Sequence, residues 1–505
     1  MEGLPQIRDN TLVSVNIAVR PYLTDHCFLG HAVLPAVEAM QMLAASVKTV
    51  KPDADVTCLS EARFDKFLYM EQEGECFADI SIYENGDITA RLITKTTSKK
   101  NRITRTRDHA FILFPASIGH IPQIPIDIAC ALEGVSFDIP EEKIYSELVR
   151  FGPAYHNIKG ILHVSQDGAV AEIRPPVYDD NDDRMDLLGS PFPLDAAFHA
   201  ACVWGQRFRR LVAFPVGLKK RVVIKKTNPG ETCFCRVVPV NTESDLLVFD
   251  TWIYDSEGVL FEAVSGIQMR DVSAGAMKPP QWIIDDGITD KHDQRISDQY
   301  CLSIIERNTL MPFAEKALST DELTRLEKMG RERKKSYLAA RLACKRLSRR
   351  LSGNDMDTPA DSISTISQDL VRPYCPMTDN SRMFSCAASH DSRFAVAIAS
   401  GKRVGIDVEK ISERVLKSRD LYMTEDEKAV AEASFLGEIQ AALRIWSIKE
   451  AAAKALNSTL ADSWNRVRVK DIGRDESRVE IDHKGGYPVA HHTIDDHLIT
   501  VLEMP

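Results

Sequence analysis

The 505-residue sequence predicts an α+β protein built in two parts. Three observations carry that prediction. Strand-like runs pair across Asn-Gly, Asp-Gly and Glu-Gly turns in the first 272 residues. Two helical runs among them each begin at a proline. Beyond a polar stretch at 273–295 the pattern changes to long helices alternating with short strands. In chain order, Thr11 to Arg20 alternates as a strand, and Pro35 opens a helix to Val50 with Val37, Met40, Leu43, Ala44 and Val47 on one face. Phe77 to Thr94 is a hairpin turning at Asn85-Gly86. His163 to Ile173 turns at Asp167-Gly168, and Leu246 to Glu262 turns near Glu257-Gly258. A second helix opens near Pro193 and runs through Phe198, Cys202 and Phe208. Strands around one helix, twice over, indicate a duplicated unit over 1–272.

Residues 273–295, rich in Ser, Gly, Lys-Pro-Pro, Asp and His, are a linker by composition. The rest, 296–505, opens with one long basic helix from Thr320 to Leu351, capped by Ser319 or Thr320 with Asp321 and Glu322 in its first turn. A polar loop covers 352–367. Strands follow at Phe394 to Ala399 and Val404 to Val408, then helices at Glu425 to Phe435 and Glu438 to Leu456.

Composition narrows the function. Hydrophobic residues make up 44%, enough for substantial cores. The 63 Lys and Arg are outnumbered by 73 Asp and Glu, for a net charge of -10, which argues against nucleic acid or an anionic membrane as partner. The most apolar stretch, Phe111 to Leu132, is broken by three prolines, His120 and Asp127, so no membrane span is expected. The start carries Glu2 and Asp9 and lacks a basic-then-apolar signal pattern. Eleven scattered cysteines form neither a zinc nor a disulfide pattern, and a cytoplasmic location is expected. His491, His492 and His497 lack cysteine or ordered acid partners and read as surface residues.

Two constellations carry chemistry. In the first, His26, Gly30 and Pro35 are spaced H-x-x-x-G-x-x-x-x-P. Gly30 lets the backbone pass close to a ligand or helix, Pro35 starts the helix, and His26 stands beside it, suited to proton transfer. Asp195 and His199 share one helical face, and Phe151-Gly-Pro-Ala-Tyr155 lies between. Together these resemble the double-hotdog dehydratase domains of polyketide and polyunsaturated fatty acid synthases. The resemblance implies His26 as general base and Asp195 as general acid in dehydration of a 3-hydroxyacyl thioester, with His199 supporting Asp195. The sequence departs from the family at Phe151 and Tyr155, where Tyr and Phe are usual, and at Ala36, where Gly is usual. Loss of the hydroxyl at Phe151 leaves two readings of this half: a dehydratase, or a hotdog module that only docks to a synthase.

In the second, Asp407 and Glu409 stand two apart on a strand, so both carboxylates project from one face. Downstream, Trp446-Ser-Ile-Lys-Glu-Ala-Ala-Ala-Lys454 places Glu450 and Lys454 four apart on a helix, with Lys449 beside them. Three carboxylates and lysines suit a hard cation such as magnesium shared with phosphate oxygens. These motifs resemble the larger, pseudo-twofold 4'-phosphopantetheinyl transferases, over about 296–505. The resemblance implies Asp407, Glu409 and Glu450 as Mg2+ ligands and coenzyme A as co-substrate. It implies Arg333, Lys334 and Arg341 at the 3'-phosphate, Arg372-Pro373 near the adenine, Ser389-His390 and Lys449 at the phosphates, and Glu427 with Lys454 as catalytic groups. The partner it implies is an acyl carrier protein or carrier domain of a polyketide or polyunsaturated fatty acid synthase. The chain carries no ketosynthase, acyltransferase or carrier motif, and so reads as a partner of such a synthase or its C-terminal part.

Overall fold

Each hairpin read from a turn dipeptide forms. Asn85-Gly86 joins Glu75–Tyr83 to Ile88–Thr97, Asp167-Gly168 joins Ile158–Ser165 to Gly168–Ile173, and Glu257-Gly258 joins Leu247–Tyr254 to Leu260–Arg270. The structure, a computed structural model, describes residues 6–17, 20–71, 75–97, 104–177, 187–241, 245–284, 296, 300–353, 358–366, 373, 375 and 384–505. It divides into two compact units. The first is Met1–Ile124 with Phe137–Asp285, and the second is Pro125–Ser136 with Asp286–Pro505.

Among the described residues of the first unit, twelve strands form one antiparallel sheet. One half runs Ile7–Ser14, Glu75–Tyr83, Ile88–Thr97, Thr104–Phe114 and Cys58–Phe64. The other continues Phe214–Val223, Leu260–Arg270, Leu247–Tyr254, Cys233–Asn241, Gly168–Ile173, Ile158–Ser165 and Phe137–Pro140. The halves join where Cys58–Phe64 pairs with Phe214–Val223, Ser60 opposite Lys220. Helix Ala36–Val50 packs on the first half and buries the five apolar positions expected, at about 1.5–3 kcal/mol for each larger side chain. Helix Phe192–Arg209 packs on the second half and is buried from Phe192 to Arg207. A sheet wrapped on one helix, repeated, is the double hotdog. Among the described residues nothing lies within 4 Å of where a Gly30 Cβ would be, so no helix crowds it. Its φ of +86 turns the two-residue strands Cys27–Phe28 and His31–Ala32 back on each other.

The stretch read as a linker carries structure in its described part. Helix Gln281–Ile284 sets Ile283 fully inside the first unit's core, and the Arg207 guanidinium donates to the Ile283 carbonyl at 3.1 Å.

The second unit holds two sheet-and-helix halves. The strands Cys301–Glu306, Phe394–Ser400 and Ser385–His390 carry helix Arg331–Leu351. The strands Arg403–Lys410, His497–Met504, Lys484–Ile494, Glu476–Ile481 and Val467–Ile472 carry helix Glu438–Leu456. The expected single basic helix is two, Thr320–Glu327 and Arg331–Leu351, because the chain leaves helical geometry at Gly330, the N-cap of the second. His491, His492 and His497 are not at the surface. All three are buried within paired strands, His491 between Thr500 and Ser477 and His497 against Asp391 and Asp496. No described helix is long and apolar enough to cross a membrane.

Candidate functional site

In the first unit, His26, Asp195 and His199 line one cavity of about 660 Å³, walled by apolar groups such as Leu34, Phe198 and Met269. Pro35 caps the first long helix, which brings the preceding loop back so that the Val33 carbonyl lies 3.0 Å from His26 Nδ1. A carbonyl only accepts, so Nδ1 carries the proton of the neutral ring and Nε2 keeps its lone pair. Burial holds the His26 pKa below its usual value, with Asp195 acting in the opposite direction and His199 adding to the depression. Asp195 and His199, one turn apart on helix Phe192–Arg209, are both buried; Nε2 approaches Oδ2 to 3.0 Å without hydrogen-bond alignment. Phe151 stacks on His26 with centroids 4.4 Å apart and on His199 at 5.2 Å. Asp25 holds Phe151 there. Its backbone oxygen accepts from Gly152 N at 2.7 Å and its carboxylate from Ala154 N at 2.9 Å. Sequence reasoning missed Asp25, although it precedes His26 directly.

In the second unit, helix Glu438–Leu456 lies directly on strand Arg403–Lys410. The approach is possible because position 405 is glycine: a Cβ there would stand 1.8 Å from the Ala451 carbonyl oxygen. That contact sets Asp407 and Glu409 opposite Glu450 and Lys454. Asp407 Oδ1 accepts from Lys454 Nζ at 3.0 Å and from Ser389 Oγ at 2.9 Å, while Lys454 also donates to Ser389 Oγ and the Ile406 carbonyl. Asp407 Oδ2 is buried and has no hydrogen-bond partner among the described residues. Glu409 accepts from Trp446 Nε1 at 2.9 Å, yet burial and then the Asp407 charge push its carboxyl up to about 7. Burial and Asp407 also raise Glu450, against Lys454. The Asp407 charge thus acts on both glutamates while Lys454 bonds to Asp407, an excess of negative charge with one buried oxygen left over. A divalent cation fits that set. Among the described residues, no three such side chains already stand at metal-binding distances. Sequence reasoning gave Trp446 no role, although it stands one turn before Glu450 on the same helix face.

His390 lies at the rim beside Ser389, its pKa lowered by partial burial and by the cations Lys454 and Arg307. On the first turn of helix Arg331–Leu351, Arg333 is exposed and Lys334 half-buried. Arg341 is buried, its guanidinium donating to Thr365 O at 2.8 Å and Thr365 Oγ1 at 3.1 Å. Pro373 forms an isolated bridge with Ile366, and Arg372 lies outside the described residues.

Lys449 and Glu427 are not in the site. Lys449 is wholly buried, with Nζ 2.7 Å from Glu427 Oε2 and donating to the Tyr422 carbonyl. Glu427 also accepts from Thr424 N at 2.8 Å and Val469 N at 3.0 Å, so its carboxylate is fully used. The reason is local: Thr424-x-x-Glu427 is a capping box, with Glu427 N donating to Thr424 Oγ1 at 3.3 Å. Lys449 therefore has no access to a coenzyme phosphate, and Glu427 is no free base.

Comparison with known proteins agrees with both halves. Residues 129–279 match the family model for the polyketide synthase dehydratase N-terminal domain, and residues 403–502 match that for the 4'-phosphopantetheinyl transferase superfamily. Over 284 residues the chain is 22% identical to polyketide synthase PksM of Bacillus subtilis (strain 168), covering 53% of this chain and 6% of that much longer protein. It is similar to the dehydratase domain of a mycocerosic acid synthase-like polyketide synthase (17% identity, 53% of this chain and 94% of that one, TM-score 0.42). It is also similar to the dehydratase domain of PpsC from Mycobacterium tuberculosis in complex with C12:1-CoA (18% identity, 52% and 92%, TM-score 0.40). The chain therefore carries a polyketide synthase dehydratase domain and a 4'-phosphopantetheinyl transferase superfamily domain.

Proposed function

We propose that the second unit transfers 4'-phosphopantetheine from coenzyme A to a serine of an acyl carrier protein or carrier domain serving a polyketide or fatty acid synthase, and that the first dehydrates 3-hydroxyacyl thioesters on such a carrier. The observation that carries the transferase reading is the convergence of Asp407, Glu409, Glu450 and Lys454 around a buried, unpartnered carboxylate oxygen. Magnesium, held by the free oxygen of Asp407 with Glu409 and Glu450, would neutralise pyrophosphate charge. The serine oxygen bonds to the β-phosphorus, its proton passes through water to the departing phosphate oxygen, and the bond from the β-phosphorus to the oxygen of 3',5'-ADP breaks. In this reading Lys454, on releasing one of its bonds to Ser389, Ile406 or Asp407, and His390 would meet phosphate oxygens, and exposed Arg333 with half-buried Lys334 would meet the 3'-phosphate. Asp407→Ala or Glu450→Ala should lower transfer by about 100-fold or more with the fold intact. The readout is the mass of apo-carrier after incubation with coenzyme A and magnesium; near-normal turnover overturns the site.

In the first unit, His26 Nε2 takes the proton beside the thioester carbonyl, and Asp195 gives one to the departing hydroxyl, which leaves as water. The docking-module reading stays as a second, favoured by Phe151, whose ring fills the space between the two imidazoles. Incubating the full chain with 3-hydroxyacyl carriers of several lengths separates them: the 2-enoyl product supports the dehydratase, and synthase binding without turnover supports docking.

A further inference from the structure

We infer that residues 125–136, although they interrupt the dehydratase sequence, are an integral strap of the transferase unit, completing its edge strand and the C-terminal half of its basic helix. The strap lies along Cys301–Glu306, the outer strand of the three-stranded sheet. Glu133 forms a bridge with Ile305, Gly134 N donates to the Ile304 carbonyl at 2.8 Å, and Ser136 N donates to Glu306 Oε2 at 2.7 Å. On its other flank Leu132 N reaches Thr309 Oγ1 at 3.0 Å, and Met311 N donates to the Cys130 carbonyl at 2.7 Å. An outer strand whose last five residues are all buried needs such a cover for its backbone groups.

The second contact is electrostatic. Arg349 grips Asp127 with two bonds, Nε to Oδ2 at 2.5 Å and Nη2 to Oδ1 at 3.1 Å. Arg346 donates to the carbonyls of Asp127, Ile128 and Ala131, and Arg350 to Glu133 at 2.7 Å. Asp127, Cys130, Ala131 and Leu132 are fully buried, and Arg346 and Arg349 nearly so. A charge pair buried this deeply destabilises strongly when one partner is lost. The basic helix is therefore divided in use. Its first turns keep Arg333 and Lys334 for anions, and its last turns spend their cations on the strap.

The test uses the full chain, with backbone amide exchange read by mass spectrometry, so its failure is separate from failure of the phosphopantetheinyl reading. Asp127→Asn should speed exchange in 301–306 and 331–351 by about 100-fold, leaving 158–173 at the wild-type rate. Glu133→Gln, whose partner Arg350 is half exposed, should change exchange by about threefold or less. Wild-type exchange of both transferase segments in Asp127→Asn overturns the inference, as does a loss of protection spread equally over 158–173.

Discussion

At the scale of single residues, function turns on how each ionisable group is partnered. Lys449 stands next to Glu450 in sequence, yet its ammonium faces the opposite way, into a buried pair with Glu427. Burial lowers the Lys449 pKa and the Glu427 charge counters it. Lys449→Ala should therefore lower unfolding stability by about 3–5 kcal/mol, by leaving Glu427 buried and unpaired. The KM for coenzyme A, measured well below the melting temperature, should stay near wild type; a large rise in KM with unchanged melting would restore Lys449 to the site. His26 gives a second case. Its pKa lies below the usual 6.5, chiefly through desolvation. A reaction needing the neutral ring is lost as pH falls through that lowered pKa, so the acid limb should lie below about 6.5. Removing the stacked ring in Phe151→Ala admits water and should move the His26 titration upward, toward 6.5. Imidazole NMR reads this whether or not the unit turns over; an unmoved titration would show that Phe151 does not control the ring. The pairing of Glu427 with Lys449 was illegible in the sequence, because 22 residues separate them and only the capping box at Thr424 hinted that Glu427 was already engaged.

At the scale of elements, what could be read was what is encoded locally. Hairpins were legible because a turn dipeptide with positive φ fixes strand pairing within a few residues. Helix Glu438–Leu456 was read to its observed bounds, since Gly437 and Asn457 mark its two ends. The break at Gly330 was missed because basic residues continue on both sides, and the burial of the three histidines because it depends on groups brought from other strands, such as Ser477 against His491 and Asp391 against His497. The same contrast holds in the site. The Asp407 and Glu450 motifs were plain, but the glycine that lets their elements meet was not given a role. Gly405→Ala puts a methyl where the Ala451 carbonyl oxygen is 1.8 Å away, so backbone must move. The expected outcome is a destabilisation of about 1–3 kcal/mol and a loss of transfer larger than that destabilisation explains. Thermal melting and carrier modification measured on one preparation would check it. Wild-type transfer would mean that the strand and helix need not be held this closely.

At the scale of the whole chain, sequence order and physical unit disagree. Reading composition alone places one boundary at 273–295, because hydrophobic runs thin there. The described part of that stretch instead sends Ile283 into the first unit's core, while Pro125–Ser136 belongs with the second. Nothing in the strap's own sequence announces this: Ile126, Ala129 and Leu132 look like any short apolar run, and the meaning of Asp127 depends on Arg349, 222 residues away. A cut at the compositional linker therefore removes partners from the unit it is meant to release. A chain beginning at residue 286 would lose the carboxylate and carbonyls that receive Arg346 and Arg349, and the backbone pairing along Cys301–Glu306. It should melt at least ~10 °C below the transferase transition of the full chain, given that breaking one buried pair costs ~3–5 kcal/mol and each kcal/mol shifts Tm by a few degrees. Joining 125–136 ahead of it through a Gly/Ser linker should recover most of that loss. If the bare chain from 286 melts cooperatively at the full-chain temperature, the strap adds nothing and the boundary read from composition is the physical one.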